Sequence, residues 1–219
     1  MMKYLIPAFA LVFSGCASFR KGEAINRGEL WKMMEDKSSP AASAVKVSWK
    51  QVSFYTQSEL IGRDEAYIRE LNREKPVKPK QAEFFRKKTG KVLSEAGIFD
   101  VESGSGTLNI SLVSHGRWTY RSLMSGFLAE TAYILILPNS ITSGYRMTAD
   151  GIIAGKRVKA EETAQIKTTF HLLMFPLYPF FRPGGQEKTL IRDMLWKISC
   201  KVYSQIKDAP AVETKSSDF

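Results

Sequence analysis

The chain has 219 residues, 44% of them hydrophobic and 25% charged, with a formal net charge of +10 and two cysteines. These ordinary globular values exclude disorder of the whole chain, and so few cysteines exclude a small disulfide-stapled scaffold. About 200 residues suffice for one domain with its own core.

At the start of the chain, Lys3 precedes an apolar stretch of ten residues, 4–13 (YLIPAFALVF), and Ser14 and Gly15 lead to Cys16. A cation, a short apolar stretch and small residues make a secretory signal; a membrane span needs about twenty apolar residues. The ending Phe13-Ser14-Gly15-Cys16 resembles the lipobox of bacterial lipoproteins with a type II signal peptide, with Phe13 where leucine is usual. That resemblance implies removal of residues 1–15 and a diacylglycerol on the Cys16 thiol, hence a lipid-anchored protein of the bacterial envelope. Ala17 and Ser18 follow the cysteine, not aspartate, so in a bacterium with two membranes the resemblance implies the outer membrane, facing the periplasm, and in one with a single membrane the outer face of the cell membrane. Each buried methylene stabilises attachment by about 0.8 kcal/mol and lasting anchorage takes two signals, which two acyl chains supply.

Residues 16–43 read as the lipidated N-terminus and a flexible tether. Charged and small residues dominate, Ser38-Ser39-Pro40-Ala41-Ala42-Ser43 is a stop, and only residues 30–34 suggest a helical turn. Val45, Val47 and Trp49 then alternate with Lys46, Ser48 and Lys50, the pattern of a half-buried strand. Residues 55–78 are polar, with a short helix around 65–72. A basic cluster follows: Arg73, Lys75, Lys78, Lys80, Arg86, Lys87, Lys88 and Lys91, against Glu74 and Glu83. In the envelope no nucleic acid is expected as partner; anionic head groups or an acidic protein surface fit, and the alternative is a solvated helix face.

A helix is expected over residues 80–96, with Phe85, Val92 and Ala96 on one stripe, Phe84 and Leu93 beside it, and Gly97 as its stop. Ile98-Phe99, the turn Ser103-Gly104-Ser105-Gly106 and the alternating Leu108, Ile110 and Leu112 read as a hairpin. Strands are then expected over residues 127–137, around Tyr145, Met147 and Ala149, and over 158–170, the last two joined at Ala154-Gly155-Lys156. Leu190, Ile191, Met194, Leu195, Ile198, Val202 and Ile206 repeat at three and four, giving a terminal amphipathic helix before a disordered tail at 207–219. The fold class expected is α+β: an antiparallel sheet of four to five strands covered on one face by two amphipathic helices, in a single domain over residues 44–206.

Catalytic chemistry is not legible. His115 and His171 have no second histidine or cysteine at metal-ligand spacing, so no metal, cofactor or catalytic site is assigned. Cys200 reads as a small buried hydrophobe on a helix. Two uninterrupted apolar stretches stand out, 133–138 and 172–181. The second, with Pro176 and Pro179, is open to three readings: a core strand and loop, a loop dipping into the bilayer, or a partner surface. Its candidate contact residues are Phe170, Leu172, Leu173, Phe175, Leu177, Tyr178, Phe180 and Phe181. Together these features lead to a non-enzymatic lipoprotein that binds or assists another envelope protein. The alternative is a carrier or binder of a lipid or other apolar ligand.

Overall fold

The computed structural model describes residues 16–22, 24–36, 39–53, 55, 60–118, 139–170 and 178–208. In chain order the elements are β1 (Cys16–Lys21), α1 (Arg27–Glu35), β2 (Ala44–Ser53), α2 (Glu65–Leu71), β3 (Lys75–Pro76), α3 (Pro79–Glu95), β4 (Gly106–Arg117), β5 (Asn139–Ile153), β6 (Lys156–Phe170), α4 (Tyr178–Phe181) and α5 (Pro183–Asp208).

The strictest alternation in the sequence forms the longest ladder. β5 and β6 pair antiparallel from Asn139 opposite Phe170 to Ile153 opposite Lys156. The two residues between them, Ala154 and Gly155, have φ of 49° and 75°. Positive φ at both centres is what a two-residue hairpin needs to match the twist of its strands. On β6, Val158, Ala160, Ala164 and Ile166 are buried on one face, while Lys159, Glu161, Thr163 and Gln165 are exposed on the other.

Two helices cover the apolar face. α3 begins with a proline, whose missing N–H is no loss at a helix start, and ends at Gly97 with φ of 70°. There the Ile98 amide donates to the Leu93 carbonyl at 2.9 Å and the Gly97 amide to Ser94 at 3.0 Å, satisfying carbonyls that the helix end would leave open. Phe85, Val92 and Leu93 of α3 and the expected stripe of α5 pack on Leu108, Ile110, Leu112, Met147 and Ala149 of the sheet. The Trp49 and Phe85 rings meet edge to face at 5.8 Å.

The sheet departs from the expected one in size and direction. It has six strands in the order β1-β6-β5-β4-β2-β3, and β2 runs parallel to β4. A parallel pair needs a long crossover, and α2, β3 and α3 supply it. Alternation along a strand is the same in parallel and antiparallel pairs, so the sequence pattern could not choose between them. The expected strand at 127–137 lies outside the described residues.

The expected hairpin around Ser103–Gly106 is not formed. Phe99 makes an isolated parallel bridge with Ala42, and the amides of Asp100 and Ser105 donate to the carbonyls of Ala42 and Ala41. A Cβ on Gly104 would lie 2.3 Å from the Asp100 carbonyl oxygen, so glycine marks a close backbone approach here, not a strand turn.

The tether reading of residues 16–43 is also corrected. Cys16–Lys21 form the edge strand on β6, where buried Ser18 and Thr168 share a hydrogen bond of 2.7 Å. α1 is capped by the Asn26 side chain, which accepts from the Gly28 amide, and it buries Met33. Just past α1, Asp36 accepts from the Tyr203 hydroxyl of α5 at 2.8 Å. These tie-points are single residues whose partners are far along the chain, so no local period reveals them. Likewise residues 207 and 208, expected in the tail, complete α5.

β1 reaches only from Phe170 to Gln165 along β6. Beyond it, α5 serves the open edge. The Gln205 amide accepts from the Lys159 N–H at 2.8 Å and donates to the Lys159 carbonyl at 2.9 Å, and Lys201 donates to the Glu161 carbonyl at 2.7 Å.

Candidate functional site

Four strand ends meet at one end of the sheet. Cys16 opens β1 opposite Phe170, the last residue of β6, and Phe170 also faces Asn139, the first of β5. β4 runs antiparallel to β5 and finishes beside them at Arg117. The ring of Trp118, the next residue, meets Phe170 edge to face with centroids 5.2 Å apart. The short helix α4 turns back onto β1, stacking Phe181 on Phe19 at 5.3 Å. Phe180 is 76% exposed and Phe19 40%. The residue expected to carry lipid and part of the expected contact segment, distant in sequence, are therefore neighbours. Leu172, Leu173, Phe175 and Leu177 lie outside the described residues, as do the stretch 133–138 and His171, and Tyr178 is described only through its place in α4.

The basic cluster lies elsewhere and is less positive than its composition. Strand order puts β3 at the edge opposite β1. Arg73 and Lys75 both pair with Glu70, Lys87 with Glu83 and Lys91 with Glu95. Hydrogen bonds from Lys75 and Lys87 hold the Glu70 and Glu83 carboxyls below the usual range. Lys78, Lys80 and Arg86 are exposed on α3 or just before it, and Lys88 is half-buried. The cluster is thus spread over β3 and an α3 face laced with i,i+4 pairs, across the width of the sheet from β1.

Beside the Cys16 end of the sheet a groove of about 670 Å³ runs between β1, α1 and α5. Its walls are apolar at Phe19, Leu30, Ala164, Phe181, Leu190 and Met194, and Arg20, Arg27 and Lys197 stand around it. Arg20 and Arg192 share Asp193. Lys197 and Lys201 share Glu162, each at 2.7 Å. Burial works against the Glu162 charge, but the two lysines outweigh it and hold the carboxyl below its usual value. Cys200, half-buried nearby on α5, has its thiol pushed up to about 11, first by burial and then by the Glu29 charge. It is not poised as a nucleophile.

A second polar cluster was invisible in the sequence. Arg117 grips Glu187 with two hydrogen bonds, 2.7 Å from Nε and 3.1 Å from Nη2, and the Tyr145 hydroxyl donates to the same carboxylate at 3.0 Å. Arg117 also donates to Gln51 and Gln81 at 3.0 and 3.1 Å, and its guanidinium lies 5.2 Å from the Trp49 ring centroid. Burial would lower the Arg117 pKa, yet Glu187 outweighs it and the net shift is upward. The Tyr145 phenol is pushed up by burial and then by Glu187. Its members answer one another, which makes it a clasp between the sheet and the start of α5. Among the described residues no cluster of His, Cys, Asp and Glu could hold a metal ion, and no helix is long and apolar enough to cross a membrane.

No family model matches the chain, and no curated protein matches it. Among solved structures it is similar to a dodecamer of a PelC variant from Paraburkholderia phytofirmans, at 12% identity over 86% of this chain and 97% of that one. The TM-score is 0.31, and at that value the likeness carries no argument.

Proposed function

We propose that this protein is a bacterial lipoprotein anchored through Cys16 in the outer membrane, where it faces the periplasm and binds or assists another envelope protein without catalysing a reaction. One observation carries the reading. Cys16, which the signal architecture singles out, opens the edge strand at the end of the sheet where Phe19, Phe180 and Phe181 are gathered. Exposed aromatic side chains beside a cation, here Arg182, suit a membrane interface. With β1 taking the place of a tether, the domain rests on its leaflet with that end down. The polar face of the sheet, which carries Asn109, Arg146 and Thr163, then stands clear for a protein partner.

The Cys16→Ala variant tests the anchor. Metabolic lipid labelling is expected to vanish and the precursor to accumulate uncleaved; normal labelling of the variant would overturn the reading. In-cell cross-linking with the lipidated wild type as bait tests the role. A single dominant envelope protein is the expected result, and links scattered among abundant neighbours would overturn the accessory role. The alternative of a lipid binder is favoured by one specific feature, the groove beside β1.

A further inference from the structure

That groove has the chemistry of an amphiphile site. Its volume of about 670 Å³ is in the range of small-ligand clefts. Phe19 and Phe181 form one end, and Ala164, Leu190 and Met194 come from β6 and α5. Ile25 and Leu30 close it from the α1 side. Such a lining holds hydrocarbon.

The charges around it are unbalanced. Asp193 answers two guanidiniums, those of Arg20 and Arg192, and Glu162 answers two ammonium groups, those of Lys197 and Lys201. With Glu29 of α1 beside Lys197 and Arg27 exposed at the head of α1, three carboxylates answer five cations, and the net charge around the groove stays positive. Guanidinium groups match the oxygens of a phosphodiester by paired hydrogen bonds. The groove therefore offers a cationic site for a head group and an apolar slot for a chain. Its Phe19 end lies three residues along β1 from Cys16.

We infer that the groove between β1, α1 and α5 binds one anionic phospholipid, with its phosphate among Arg20, Arg27 and Lys197 and one acyl chain along Phe19, Phe181, Leu190 and Met194. The inference rests on the proposed anchor for its source of lipid: the leaflet that holds Cys16 would lie at the Phe19 end of the groove. Bound there, the lipid would add a second hold on the bilayer and fix the rotation of the domain about its anchor.

The experiment is native mass spectrometry of the full chain extracted from membranes in detergent, titrated with phosphatidylglycerol and, separately, with zwitterionic phosphatidylcholine. One phosphatidylglycerol adduct per chain is expected, well ahead of phosphatidylcholine. Arg27→Glu is expected to cut the bound fraction about tenfold, the effect of losing one charge-assisted contact. Arg27 is exposed at the N-terminal turn of α1, where an acidic residue is tolerated, so folding is preserved and an unchanged melting temperature checks it. Ile25→Asp, in the loop before α1, gives a second variant that charges the apolar wall.

Equal uptake of the two lipids, no adduct on the lipidated chain, or full binding by both variants would overturn the inference. An adduct that forms on Cys16→Ala but not on the lipidated chain would overturn it in favour of the protein's own acyl chains as occupant. The mass of the chain separates this failure from that of the proposed function. A chain carrying diacylglycerol but no adduct defeats the groove alone, and a chain without lipid on Cys16 defeats the anchor.

Discussion

Glu187→Ala is expected to be among the most damaging single substitutions in the domain, although it removes a charged side chain. The Glu187 and Arg117 side chains are 17% and 15% exposed. Truncation deletes two hydrogen bonds from Arg117 and one from Tyr145, and it leaves a guanidinium under the sheet end without its counter-charge. Removing one partner of a buried pair costs about 3–5 kcal/mol. Gln51, Gln81 and the Trp49 face still attend the cation, which sets the expectation at about 3 kcal/mol. Glu187→Gln keeps an acceptor for Tyr145 and should cost about half as much. Urea unfolding followed by tryptophan fluorescence measures both, since Trp49 lies against the clasp; the midpoint should fall with the slope unchanged. Glu65→Ala is the control: its Arg69 pair is open to water, and no measurable loss is expected. In Arg117→Met/Glu187→Leu no buried charge is left over, so the double variant should be more stable than Glu187→Ala. A Glu187→Ala midpoint as close to wild type as that of Glu65→Ala would refute the argument that burial gives this pair its weight.

Ala154→Asn should stabilise the β5–β6 hairpin by about 1 kcal/mol, because Ala154 is held at positive φ where asparagine is at ease; a lower melting temperature would contradict this. Gly151→Ala should cost about 2 kcal/mol or more in the same assay, since its Cβ would stand 2.2 Å from the Thr107 carbonyl oxygen. Glu162 is 6% exposed and its carboxyl is held below the usual 4.5 by Lys197 and Lys201. Its contribution is complete above the unfolded value and fades as pH falls through the folded one, so Glu162→Gln should destabilise by about 2 kcal/mol at neutral pH. The gap to wild type should then narrow below about pH 4.5, and a gap that stays constant down to about pH 3 would exclude this linkage.

What could be read along the chain was whatever repeats locally. The α3 stripe with Gly97, the seven-residue stripe of α5, and the alternation around Ala154-Gly155 all became elements close to where the pattern put them. β1 escaped, and α1 showed only as a turn at residues 30–34, because their buried side chains, among them Ser18 on Thr168 and Met33 in the core, are too few to make a period. The parallel pairing of β2 with β4 escaped because alternation does not encode direction. At the site, Cys16 could be named from its flanks, but its pairing with Phe170 is a fact of topology. The Arg117–Glu187 clasp and the groove join residues from distant elements, and neither has a motif.

β6 is longer than the strand that borders it, and α5 makes up the difference. At Lys159 the Gln205 amide accepts and donates as a neighbouring peptide would, and two residues on Lys201 occupies the Glu161 carbonyl. An unguarded strand edge is a template for another chain. On the proposed anchor, copies of this protein would drift in two dimensions and meet one another, similarly oriented, again and again. With a helix standing in for the missing strand, such encounters end without the β6 edge being extended from one copy to the next.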